Sequence, residues 1–126
     1  MVLIAHGSRN PDAAAGHASL VARVRRRSAI SVVPAFLELN EPSIPRAIDD
    51  AVAAGATTVR LLPYFLHVGN HVASDLPELA AEARRRHAGV EVVLEEHIGA
   101  DPALVDLVAR RIDQAEDHPG SEPSTR

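Results

Sequence analysis

Four short apolar runs, each rich in β-branched residues and bounded by turn signals, restrict this chain to few folds. They cover 2–5, 30–37, 58–62 and 90–94. Within each run the apolar character persists over successive residues instead of alternating, as in parallel strands covered on both faces. Amphipathic segments follow each run, so strand and helix alternate along the chain. Right-handed crossovers then give a parallel sheet between helices. The expected architecture is a single three-layer α/β domain of flavodoxin-like type, with a four-stranded parallel sheet and helices on both faces.

The helix signals are local. Asn10-Pro11 supplies an N-cap followed by Pro at the first helical position, ahead of the stripe His17, Leu20, Val21 and Val24. A second helix begins near Ser43, carries Ile44, Ile48, Ala51 and Val52, and stops at Gly55. A third is expected to start at Ser74 or Asp75 with Pro77 in its first turn, carry Leu76, Leu79, Ala80 and Ala83, and end at Gly89. A fourth starts at Asp101-Pro102 and carries Leu104, Val105, Val108 and Ile112. From His118 the chain is rich in Pro and Ser and loses periodicity, so the domain is placed at 1–117 and a disordered tail at 118–126.

Composition narrows the chemistry. Hydrophobic residues make up 46% of the 126, but aromatic residues only 2%, so the core must be aliphatic. Cysteine is absent, which excludes disulfides and thiolate metal sites and leaves nitrogen and oxygen as metal ligands. The net charge of −4 argues against nucleic acid as a partner. No apolar run is long enough to cross a bilayer, and the opening Met1-Val2-Leu3-Ile4-Ala5-His6 lacks the basic flank and length of a signal peptide. A cytoplasmic protein with no membrane partner is the expectation. Two arginine clusters, Arg23 to Arg27 and Arg84 to Arg86, read as solvated helix ends.

In an open parallel sheet, ligands gather beyond the carboxyl ends of the strands. His6-Gly7-Ser8-Arg9 follows the first strand, Glu38 the second, and a segment containing His67, Gly69 and His71 the third. His6, Glu38 and His71 thus come from three strand–helix connections on one sheet edge. Two imidazoles and a carboxylate suit divalent iron, cobalt, nickel or zinc, and the same groups can accept protons near neutral pH. Gly7 and Gly69 beside the histidines would allow close approach of a bulky ligand. A phosphohistidine phosphatase would want Arg where Ala5 stands. A response regulator would want an acidic residue where the third strand runs into Leu61-Leu62-Pro63-Tyr64, and a flavin site a phosphate loop richer in Ser, Thr and Gly.

Three motifs in order resemble those of the short CbiX and SirB class II chelatases. The first is His6-Gly7-Ser8-Arg9 with Asn10-Pro11. The second is Phe36-Leu37-Glu38-Leu39 with Glu41-Pro42-Ser43-Ile44. The third runs from Gly55-Ala56 through Leu62-Pro63 and Phe65-Leu66 to Gly69, His71, Asp75, Leu76 and Pro77. The resemblance covers about 2–112. It implies a chelatase-like domain that inserts cobalt or iron, or nickel as in a related archaeal enzyme, into sirohydrochlorin for siroheme or cobalamin. It implies His6 and His71 as catalytic and metal-binding residues, with Glu38 assisting as ligand or proton acceptor. The divalent metal would be substrate, with no permanently bound cofactor. Asp101 departs from the family pattern, where many relatives carry His, and is expected to cap the fourth helix.

Sirohydrochlorin carries many carboxylates. Ser8 and Arg9, with the N–H groups opening the first and third helices, are candidates to bind them. His67 lies in the right loop, either taking part directly or lining the pocket, His97 is expected at the surface rather than on the pocket rim, and His17 and His87 read as structural. One small domain offers a shallow cleft, so a homodimer with active sites near its interface is expected. The rival from another class is a metal-delivery protein using the same histidines without turnover.

Overall fold

A computed structural model describes residues 1–116 as one four-stranded parallel sheet with helices between its strands. The chain runs β1 (Val2–Ala5), α1 (Pro11–Arg25), β2 (Val33–Phe36), α2 (Ile44–Ala53), β3 (Thr58–Pro63), α3 (Asn70–Arg86), β4 (Glu91–Leu94), a 3-10 turn (Ile98–Ala100) and α4 (Ala103–Glu116). The tail expected at 118–126 lies outside the described residues. Among the described residues no helix is long and apolar enough to cross a membrane.

The strand order is β2-β1-β3-β4. The chain steps from β1 to β2 in one direction and from β2 across to β3 in the other. With right-handed crossovers this reversal puts α1 on one face and α2 and α3 on the opposite face. The side chains agree. Val2 and Ile4 pack with Ile44, Ile48, Ala80 and Ala83, whereas Leu3 packs with Val21, Val32, Leu20 and Val24. Burial of each large aliphatic side chain contributes about 1.5–3 kcal/mol. The switch point between β1 and β3 is where ligands bind in folds of this type.

Local rules place most element ends. Asn10 caps α1 by accepting from Asp12 N at 2.9 Å, and Ser43 caps α2 by accepting from Arg46 N at 3.2 Å. Pro34 is tolerated inside β2 because β2 is an edge strand. His17 is structural, as expected: it is buried, its Nε2–H donates to the Leu3 carbonyl at 2.9 Å, and its ring stands edge-on to Phe36. Asp101 caps α4, accepting from Ala103 N at 2.9 Å.

Three expectations need correction. The second strand is Val33–Phe36 and not 30–37, with Ile30 left 59% exposed. The third helix begins at Asn70, one turn before Ser74, so Pro77 lies inside it. A proline reads as a start signal in a sequence, but this helix accommodates one beyond its first turn, and His71 consequently sits in a helical first turn. The fourth helix forms where expected, yet it carries no buried residue, and Val105, Val108 and Ile112 are 70%, 55% and 63% exposed.

The β1–β2 pairing does not stop with the strands. Leu37 N donates to Ala5 O at 2.9 Å and Glu38 N to His6 O at 3.1 Å. The chain then reverses tightly at Leu39, whose φ is 69°, as Asn40 N donates back to Glu38 O at 2.8 Å. Gly7 lies against that same carbonyl: a Cβ there would stand 1.8 Å from Glu38 O, and its φ of 104° is one that L side chains rarely adopt. A Gly7→Ala substitution is therefore expected to destabilise the protein by about 2 kcal/mol or more. Urea denaturation with circular dichroism checks this, and an unchanged midpoint would contradict the packing described.

Candidate metal and macrocycle site

The ladder extension sets His6 and Glu38 side by side. His6 Nε2 lies 3.5 Å from Glu38 Oε2, with the two side chains 55% and 57% exposed. At that separation the two are not hydrogen-bonded, but the pair can present a nitrogen and an oxygen to one cation, and the exposure leaves coordination positions open. Phe65, just beyond β3, stands edge-on to the His6 ring at a centroid distance of 6.1 Å. The wall of the site is thus an aromatic ring contributed from across the switch point.

The surrounding connections are tied together. Asn40 Oδ1 accepts from Ser8 N at 2.7 Å, which joins the β1–α1 and β2–α2 connections. Gly99 N donates to Phe65 O at 2.8 Å, and a Cβ on Gly99 would meet Leu66 O at 1.7 Å. The 3-10 turn after β4 therefore presses on the segment that carries Phe65. Leu39 and Leu66, neighbours of Glu38 and Phe65 in sequence, are 57% and 63% exposed.

The other expected site residues are distributed as follows. His71 is exposed in the first turn of α3, on the same sheet edge, but outside the His6–Glu38 pair. Among the described residues no set of three His, Asp or Glu side chains converges closely enough to hold a metal ion. Arg9 is exposed in the β1–α1 connection. Ser8 Oγ accepts from Asn10 N at 3.0 Å, so its oxygen helps shape the turn into α1. The start of α1 has little left to offer an anion: Pro11 has no N–H, Asp12 N binds the Asn10 side chain, and Ala13 N binds Asn10 O. α3 differs, since its N-cap Gly69 provides no side-chain cap. Nothing lies within 4 Å of where a Gly69 Cβ would stand, so Gly7, and not Gly69, is the glycine required by close packing.

His67 is exposed and His97 half-buried, the latter lining the depression beside β4. His87 is structural, with Nε2 at 2.7 Å from Asp49 Oδ1. Arg86 and His87 together hold the Asp49 carboxyl below the usual carboxylate range, chiefly through their hydrogen bonds. Sequence reasoning missed the contacts of Phe65, Asn40 and Gly99. Each lies in an irregular connection where periodicity carries no signal, although Phe65 was within the third motif.

Comparison with known proteins places this arrangement. The CbiX family model matches residues 1–115. The sirohydrochlorin cobaltochelatase of Methanococcus aeolicus is 28% identical over 88% of this chain and 95% of its own length. The chloroplastic sirohydrochlorin ferrochelatase of Arabidopsis thaliana is 31% identical over 94% of this chain, which spans only 53% of that relative. Among solved structures, a CbiX protein of Marinobacter aquaeolei superposes with a TM-score of 0.80 at 27% identity, covering 93% of this chain and 96% of that one. SirB of Bacillus subtilis subspecies spizizenii, solved in complex with cobalt, gives 0.77 at 30% identity over 90% of this chain and 49% of that one. This chain therefore spans about half the length of the plant and Bacillus relatives, and nearly the whole of the archaeal and Marinobacter ones. With a family model matched from residue 1 to 115, the chain belongs to the CbiX family.

Proposed function

We propose that this protein is a sirohydrochlorin chelatase, an enzyme of the lyase class that inserts a divalent metal into the macrocycle. The observation that carries the reading is the His6–Glu38 pair at 3.5 Å, at the switch point of a CbiX-family sheet. Relatives with this domain are named sirohydrochlorin cobaltochelatases and ferrochelatases, so cobalt and iron are the metals expected as substrates, with nickel a further possibility to be ranked against them. The metal-delivery alternative is not favoured, because these matching relatives are named as chelatases.

Metal insertion exchanges a dication for two pyrrole N–H protons. The site must hold the cation loosely, present it to one face of the macrocycle and take up the protons. His6 supplies an imidazole nitrogen, and Glu38 stands near enough to assist it as a ligand or proton acceptor. His71 is assigned as a second metal-holding group from its place at the same edge. Few protein ligands and open positions suit a metal that must leave. The exposed Leu39 and Leu66 offer apolar contact to the flat ring. Arg9, the Ser8 hydroxyl and the uncapped start of α3 are the candidates for its peripheral carboxylates. Cytoplasmic placement belongs to the same proposal.

Anaerobic insertion kinetics test the residue assignments. His6→Ala and His71→Ala are each expected to lower the catalysed rate by roughly 100-fold or more, and Glu38→Gln by roughly 10-fold or more, with circular dichroism unchanged. Full activity in either histidine variant would remove that residue from the mechanism. Arg9→Ala is expected to raise KM with little change in kcat, and an unchanged KM would remove its binding role.

The same proposal includes a homodimer, since a single layer of edge residues makes a shallow site for a macrocycle. Light scattering is expected to give twice the 13.4 kDa chain mass at working concentration. A monomeric mass would contradict it.

A further inference from the structure

Glu38 and Phe65, the two side chains beside His6, are each followed in the chain by an exposed leucine. Neither Leu39 nor Leu66 belongs to the packed core on either face of the sheet. A solvated leucine is ordinary by itself. These two differ because their backbones are fixed from several sides.

Leu39 is the central residue of a γ-turn. Asn40 N donates to Glu38 O at 2.8 Å, across a single residue, and Leu39 has a φ of 69°. A γ-turn with positive φ is the rare and strained form of this turn. Among the described residues Leu39 is the only one other than glycine at positive φ. Glycine would adopt this conformation without steric cost, and asparagine tolerates it better than leucine does. Such a conformation persists where the surroundings impose it. Here Glu38 N donates to His6 O at 3.1 Å, Ser8 N to Asn40 Oδ1 at 2.7 Å and Phe36 N to Pro42 O at 2.9 Å. The Leu66 backbone is pinned by a different neighbour. Gly99 N donates to Phe65 O at 2.8 Å, and a Cβ on Gly99 would stand 1.7 Å from Leu66 O.

Leucine at position 39 therefore costs stability twice, through backbone strain and through apolar surface left in water. Neither cost is offset by packing within the fold. The offset has to come from whatever covers the side chain, and the position indicates what that is. Leu39 adjoins the carboxylate of the His6–Glu38 pair, and Leu66 adjoins the ring that stands against His6. The two leucines thus border the pair from opposite sides of the switch point. A tetrapyrrole brought to the pair presents an apolar conjugated face ringed by carboxylates. Its rim calls for cations and N–H groups, but its face calls for apolar cover.

We infer that Leu39 is a specificity-determining residue: with Leu66 it covers the conjugated face of the tetrapyrrole over His6 and Glu38, and the strained turn is kept because it holds the Leu39 side chain there. The inference rests on the chelatase reading above and deepens it, by separating recognition of the ring face from capture of the metal. Relief of the strain then favours the fold, weakens macrocycle binding and leaves metal binding alone.

Three substitutions separate these effects. Leu39→Gly relieves the strain and removes the apolar contact, Leu39→Asn does the same while keeping a side chain, and Leu39→Met keeps an apolar side chain of similar volume. Binding of metal-free sirohydrochlorin is followed without oxygen by quenching of its fluorescence, binding of cobalt(II) alone by calorimetry, and stability by urea denaturation. Leu39→Gly and Leu39→Asn are each expected to raise the macrocycle dissociation constant roughly tenfold, as the loss of one leucine contact implies. Their cobalt(II) dissociation constants are expected to stay at the wild-type value, and their urea midpoints to stay level or rise. Leu39→Met is expected to bind the macrocycle like the wild type. Wild-type macrocycle affinity in both Leu39→Gly and Leu39→Asn would overturn the inference and leave the chelatase reading in place. A wild-type chain that binds no sirohydrochlorin would remove both. Urea midpoints well below wild type in both variants would make Leu39 a structural residue, and a changed solution mass would mean that a second copy of the chain covers it; either result would overturn the inference.

Discussion

The hydrogen bond from Glu38 N to His6 O is the contact on which the site depends. It follows directly on the last regular bond between the two chains, Leu37 N to Ala5 O, past the ends of β1 and β2, and it brings two chemically useful side chains together from residues far apart in sequence. Gly7 makes it possible by leaving room for the Glu38 carbonyl, and the tight reversal at Leu39 keeps that carbonyl in place. Asn40 then bonds back to Ser8 and closes the unit. The His6–Glu38 geometry is therefore a property of the sheet, held by backbone hydrogen bonds, and not of two mobile loops. Positioning of this kind supports chemistry that needs a fixed angle of approach to a flat ring.

The rest of the edge is organised around that unit. The β1/β3 switch point brings Phe65 against His6, and the turn after β4 packs Gly99 onto the same segment. Rigidity at the pair coexists with openness around it: His6, Glu38 and His71 are all exposed, and neighbouring Leu39 and Leu66 are apolar yet solvated. A permanently bound metal would favour a closed ligand cage, whereas a metal in transit to another ligand needs an incomplete one.

Much of this was legible in the sequence because it follows from strong local signals. Apolar runs without alternation gave the parallel strands, and Asn10, Ser43 and Asp101 declared their helices through caps that the structure contains. The sheet-edge rule points to His6, Glu38 and His71, of which the first two lie side by side in the structure while His71 stands apart in the first turn of α3. The failures are equally physical. Pro77 misplaced the start of α3, since a proline inside a helix and one at its first turn look alike in a sequence. Ile30 is apolar but lies outside the edge strand it adjoins. The α4 stripe is helical, but periodicity indicates only that a face seeks cover, without naming the cover. The roles of Asn40, Phe65 and Gly99 were illegible because contacts between irregular connections have no sequence period.

The central claim is that this small domain accelerates metal insertion. The direct test is the anaerobic rate of cobalt(II) incorporation into sirohydrochlorin, followed by absorbance with and without the purified wild-type chain. The account predicts a rate that rises in proportion to protein concentration above the spontaneous reaction, with turnover beyond one macrocycle per chain. A rate equal to the spontaneous one with cobalt(II), iron(II) and nickel(II) alike, from protein shown to be folded, would contradict it.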